Sequence, residues 1–213
     1  MYNKKSVFEK AAQYCADRGI SLPSAVLSET SLQFETAIVA GRTTYQFPLM
    51  TNDSAGGAVQ SVTEIRLPMQ DTFFVGEIAV YIAAPSGVAD GGYVMQTYPN
   101  VNEFTTSGAN AELYRIYNGT LKFENGGTVI CPKWPVRRHL TIPQTQRTAS
   151  NSLRDQFDGN NASFVPVTPV WVIAGKANVK LTLELPQAIQ TVHPNSRIII
   201  VANGCQAQNT GLN

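Results

Sequence analysis

From residue 31 onward the chain repeats its apolar side chains at every second position. In "NVKLTLELP", Val179, Leu181, Leu183 and Leu185 share one parity, and Lys180, Thr182 and Glu184 share the other. A period of two sends alternate side chains to opposite faces of a pleated strand, so this pattern makes sheet with one face buried. "SLQFETAIVA" and "TTYQFPLM" alternate in the same way around "AGR", which reads as a hairpin signal. "VTEIRLP" places Val62, Ile65 and Leu67 less regularly, and "TFFVGEIAVYIAA" places Phe74, Gly76, Ile78, Val80 and Ile82 on one parity. "GYVMQTYP", "SFVPVTPVWVIAG" and "SRIIIVANG" continue the series, while "LYRIYNGTLKFENGGTVI" reads as strand runs split at "NG" and "NGG", both strong turn signals.

These runs amount to roughly nine to eleven strands separated by turn composition, with no helices alternating between them. A parallel βαβ architecture is thereby excluded. The expected fold class is all-β: an antiparallel two-sheet sandwich, first a single jelly roll and second another β-sandwich, with an N-terminal helix or arm. Residues 1–30 are expected to form that helix and an extended arm, and residues 31–213 the sandwich body with a polar C-terminal tail. The one helical pattern lies over residues 4–18, where Val7, Phe8, Ala11, Ala12 and Cys15 share a face. Ser6 with Glu9 makes a capping box, and Gly19 stands at the C-terminal cap. Two dispositions are open for this helix: an arm reaching a neighbouring subunit, or a helix packed on its own domain.

Composition narrows the function. Only 15% of the 213 residues are charged, against about 25% typically. The net charge is +1 and the hydrophobic share 43%, which is the profile of a folded chain. Its surface must be carried by amides, hydroxyls and glycine, and such a surface suits contact with other protein copies. Cys15, Cys131 and Cys205 are far apart, with no metal-ligand spacing and no disulfide framework. No signal peptide and no membrane-spanning run is evident, so synthesis in a cytoplasm is expected.

Catalytic constellations are sparse. His139 follows two arginines that oppose its protonation, and His193 precedes a proline. Cys131, close to Lys133, Arg137 and Arg138, is the one thiol whose pKa those cations could lower. Glu64, Asp71, Glu77 and Glu184 are scattered along strands, and paired carboxylates for glycoside hydrolysis would have to meet in space. Asp155, Asp158 and Asn160 only partly fit a calcium loop, and zinc lacks ligands. The expectation is a protein that is not an enzyme, with no cofactor and no metal.

The stretch "CPKWPVRRHLTIPQTQR" is chemically the densest. Between Glu124 and Asp155 there is no acid, while Lys133, Arg137, Arg138, Arg147 and Arg154 are all basic. Three readings compete: weak nucleic-acid contact through residues 133–154, a contact between subunits anchored by arginine and tryptophan, or a solvated loop. The subunit contact is preferred, because five cations on a chain of net charge +1 are few for a dedicated nucleic-acid binder. Lys133, Trp134, Arg137 and Arg138 are the interface candidates, joined by Val7 and Phe8 on the helix.

The runs "TAIVAGRTTYQFPL", "EIRLPMQDTFFVGEIAVYIAAP", "YNGTLKFENGGTVICPKWPVRRH" and "FVPVTPVWVIAGKANVKLTLELP" resemble bacteriophage virion structural proteins, coat or capsid-associated subunits with a jelly-roll body. The likeness covers about residues 31–201. It implies symmetric self-assembly, an arm reaching a neighbour, no catalytic residues, other virion proteins as partners and the virion as location. The alternative is a carbohydrate- or receptor-binding β-sandwich such as a fibre or adhesin head, with Tyr93, Tyr98, Tyr114 or Tyr117 as an aromatic platform.

Overall fold

The structure, a computed structural model, describes residues 4–20, 26–48, 67, 70–85, 93–142, 163–175 and 179–208. In chain order the elements are α1 (Lys4–Asp17), β1 (Leu27–Ala37), β2 (Thr44–Pro48), β3 (Thr72–Pro85), β4 (Tyr93–Gln96), α2 (Ala109–Tyr117), β5 (Thr120–Asn125) and β6 (Thr128–Pro135). A 3-10 turn (Val136–His139), β7 (Val165–Ala174), β8 (Val179–Glu184) and β9 (Arg197–Ala207) follow. Glu64, Arg147, Arg154, Asp155, Asp158 and Asn160 lie outside the described residues.

Two antiparallel sheets face each other. One runs β1-β9-β3-β4, with β7 also paired to β3, and the other runs β2-β8-β5-β6. With the four-residue β4 set aside, the first long strand pairs the last, the second pairs the seventh, the third pairs the sixth and the fourth pairs the fifth. A ribbon folded double and then rolled gives this nesting, so the body is a single jelly roll, as expected.

Several sequence expectations fail in detail. The "AGR" turn does not close a hairpin: β1 pairs β9 and β2 pairs β8, so the turn carries the chain from one sheet to the other. Gly41 takes a left-handed φ of 79° there, and its amide donates to the Ile189 carbonyl at 2.8 Å. "LYRIY" is the end of helix α2 and not a strand. Ala109, Leu113, Ile116 and Tyr117 are its buried residues, a helical spacing that a five-residue window cannot distinguish from a strand.

The core between the sheets takes Phe34, Phe47, Phe73, Val80, Ile82, Phe123, Leu181, Leu183, Ile198 and Ile200 among others. β3 is buried on both faces, which explains its near-continuous apolar run. A register shift between Val75 and Glu77 marks a bulge at Gly76. Residues before and after it therefore follow opposite parities: Phe73, Val75, Ile78, Val80 and Ile82 face the core, whereas Phe74 faces outward. The single parity expected for Phe74 and Ile78 is thus broken by one extra residue.

Helix α1 lies on the outside of the first sheet. Val7, Ala11 and Cys15 pack with Phe74, Cys205 and Ala207 in one cluster. Tyr14 meets Phe74 edge-on at 5.2 Å. The helix begins at Lys4, so Ser6 lies inside its first turn and not at the N-cap position. Its C-terminus is a Schellman motif: Ile20 N–H donates to the Cys15 carbonyl at 2.9 Å and Gly19 N–H to that of Ala16 at 3.0 Å, with Gly19 at φ 68°.

Candidate functional site

The basic stretch occupies one corner of the second sheet, where β6 ends and the 3-10 turn begins. β5 and β6 are joined by Gly126 and Gly127, both at positive φ, the two-residue hairpin geometry that glycine permits. Among the described residues β6 pairs only with β5, and that pairing is broken by two register shifts. Pro132, Pro135 and Lys133 on the same strand further disfavour addition of another strand. Val129 and Ile130 are 43% and 44% exposed near its start.

Lys133, Arg137 and Arg138 are exposed. Arg137 donates to Asn118 Oδ1 at 3.1 Å, and the Val136 amide donates to the Gly119 carbonyl at 3.1 Å. These bonds pin the 3-10 turn to the junction of α2 and β5. The Arg138 guanidinium lies over the Trp134 ring, 4.5 Å from its centroid.

Trp134 points inward. Its ring meets Trp171 edge-on at 5.6 Å, and Trp171 stacks on Phe123 at 4.8 Å. Its Nε1 donates to His139 Nε2 at 2.8 Å. An indole can only donate, so His139 Nε2 accepts and Nδ1 carries the proton. That Nδ1–H donates to the Ser163 carbonyl at 2.9 Å, and the Ser163 hydroxyl returns a bond to the His139 carbonyl at 2.8 Å. Burial pushes the imidazole down to about 4, with the Arg138 charge acting in the same direction against the opposing Ser163 bond. His139 is therefore a neutral internal strut with both nitrogens engaged.

This arrangement decides several candidates. His139 has no free nitrogen with which to activate Cys131. The Cys131 thiol is raised by burial, against the lowering that neighbouring cations suggested. His193 bonds Thr106 Oγ1 through Nδ1 at 3.1 Å and meets Phe104 edge-on at 5.9 Å. The Asp71 carboxylate accepts from Gln206 at 2.6 Å and the Glu77 carboxylate from Asn203 at 3.1 Å, both buried on the first sheet, while Glu184 is exposed on the second. Among the described residues no three His, Cys, Asp or Glu side chains gather as a metal would need, and no helix is long and apolar enough to cross a membrane.

Trp134 and Val7 are thus internal packing residues rather than free anchors, and Phe8 is half-buried against the α1 cluster. Of the tyrosines, Tyr117 is fully buried with its hydroxyl donating to the Gln96 carbonyl at 3.2 Å, Tyr98 and Tyr114 are half-buried, and Tyr93 starts β4. The sequence reading missed the Trp134–His139–Ser163 relay because Ser163 is remote in the chain. It also missed Glu112 on α2, whose Oε2 accepts from the amides of Gln190 (2.5 Å) and Thr191 (3.1 Å) and from Arg115 (3.0 Å). Arg115 in turn donates to the Ala188 carbonyl. The chain matches no protein-family model and no curated protein.

Proposed function

We propose that the chain is a non-enzymatic virion structural protein, a capsid or capsid-decorating subunit that self-assembles or binds a shell. The observation that carries this reading is the nested pairing of eight of the described strands into one jelly roll, an architecture that viral shells use widely. A fold alone does not fix a function, so the surface supplies the second support. The chain is sparsely charged, and β6 with the turn after it exposes the apolar Val129 and Ile130 at one end and Lys133, Arg137 and Arg138 toward the other. Exposed arginine and apolar side chains on a sparsely charged surface are what a protein contact favours. The relay beneath holds this corner in a fixed shape, so little side-chain ordering is left for binding to cost.

In this reading the partners are copies of the chain or other virion proteins, the location is the virion, and Lys133, Arg137 and Arg138 are the contact cations. Size-exclusion chromatography with light scattering and electron microscopy of the purified chain test it. Discrete oligomers or particles are the expected result. A strictly monomeric protein that also fails to bind virion shells overturns it.

A further inference from the structure

The contact between α1 and the first sheet brings together two thiols that lie far apart in sequence. Cys15 is on the helix stripe with Val7 and Ala11, and Cys205 is on the outward face of β9 opposite Phe74. Both side chains are fully buried within that one small cluster. Burial raises the Cys205 thiol to about 11, and the neighbouring Cys15 adds to this, so the two groups lie within each other's field. Cys131, on the other sheet, belongs to neither helix nor cluster.

We propose that Cys15 and Cys205 are a disulfide-forming pair that staples α1 to β9 when the chain meets a small-molecule disulfide such as oxidised glutathione. This inference stands apart from the virion reading and holds for any role of the body. The Cys205 thiolate attacks one glutathione sulfur, forms a mixed disulfide and releases one glutathione thiolate. The Cys15 thiolate then attacks the protein sulfur of that bond and displaces the second glutathione. Two electrons pass from the protein thiols to the glutathione disulfide, and the two protein protons leave with the released thiolates. Because the thiolate is the nucleophile and both thiols are buried, the exchange is slow and awaits opening of the helix. Once formed, the bond keeps α1 from lifting off the sheet.

The test uses the full chain carrying Cys131→Ser, warmed with oxidised glutathione to just below its melting temperature, alkylated, and digested without reduction. The expected result is a peptide containing Cys15 linked to one containing Cys205. The melting temperature should rise by roughly 5–10 °C on oxidation, since a long closed loop restricts the unfolded chain. That rise should vanish in Cys15→Ala, or in Cys205→Ala if the first variant does not fold. Glutathione adducts that never resolve into the link overturn the proposal. So does complete retention of both free thiols, or, in the unmodified chain, a link that uses Cys131 in preference.

Discussion

A single imidazole sets much of the acid response at the β6 corner. His139 has its pKa depressed from 6.5 to about 4, so between those values the unfolded chain binds a proton that the folded chain refuses. Stability from this group is therefore fully present above pH 6.5 and is lost as pH falls toward about 4. The shift corresponds to on the order of 3 kcal/mol. Urea titrations across that window should show a midpoint that falls with pH, and His139→Phe should flatten the dependence while lowering stability at neutral pH. Protonation would also set Nε2–H against the Trp134 donor, so indole fluorescence should change over the same range. A second residue-scale test concerns Gly204. A Cβ there would sit 1.9 Å from the Phe74 carbonyl oxygen, and the strands cannot separate without breaking the β3–β9 ladder. Gly204→Ala should cost about 3 kcal/mol or more in denaturant unfolding.

Among the elements, α2 meets the β8–β9 loop through one carboxylate that accepts two of the loop's amides. The amide of Gln190, and after it that of Thr191, hold the Glu112 carboxyl below the usual carboxylate range. Replacing Glu112 by Gln should cost about 1–2 kcal/mol, and hydrogen exchange at the Gln190 and Thr191 amides should quicken ahead of the rest of the sheet. The strands were legible in sequence where alternation was strict, as in β8, where Val179, Leu181 and Leu183, with Leu185 just after the strand, are all buried in the core. Legibility failed where a local rule was outweighed by tertiary context. The Gly76 bulge reversed a parity, the "AGR" turn crossed between sheets, and α2 hid inside five residues that also read as strand. The exposed cations of the candidate site could be found from their run in the sequence. The inward turn of Trp134 could not, since its partner Trp171 comes from a strand far along the chain.

For the whole molecule, the assembly reading turns on the exposed corner. Arg137→Ala combined with Arg138→Ala should impair oligomer or particle formation, because a buried interface arginine commonly carries about 2 kcal/mol or more. The monomer should keep its circular dichroism and nearly its melting temperature, since Arg137 gives up only an exposed bond to Asn118 and the exposed Arg138 only its contact over the Trp134 ring. Light scattering of the variant at ordinary salt decides the matter: unchanged assembly would remove the corner from the contact. Assembly that is restored only when salt is lowered would instead assign these cations a long-range electrostatic role.

β9 lies between β1 and β3, bonded to both along eleven residues. Among the described strands it is also the last in chain order. While the ribosome is still making residues before Arg197, the two longest strands of the first sheet wait without the neighbour that separates them, their ladder groups open to any other nascent chain. Such a protein depends on chaperone shielding, or on quick completion, more than one built from local hairpins would. A stalled or truncated product lacking β9 should therefore be found in inclusion bodies rather than as a smaller folded domain.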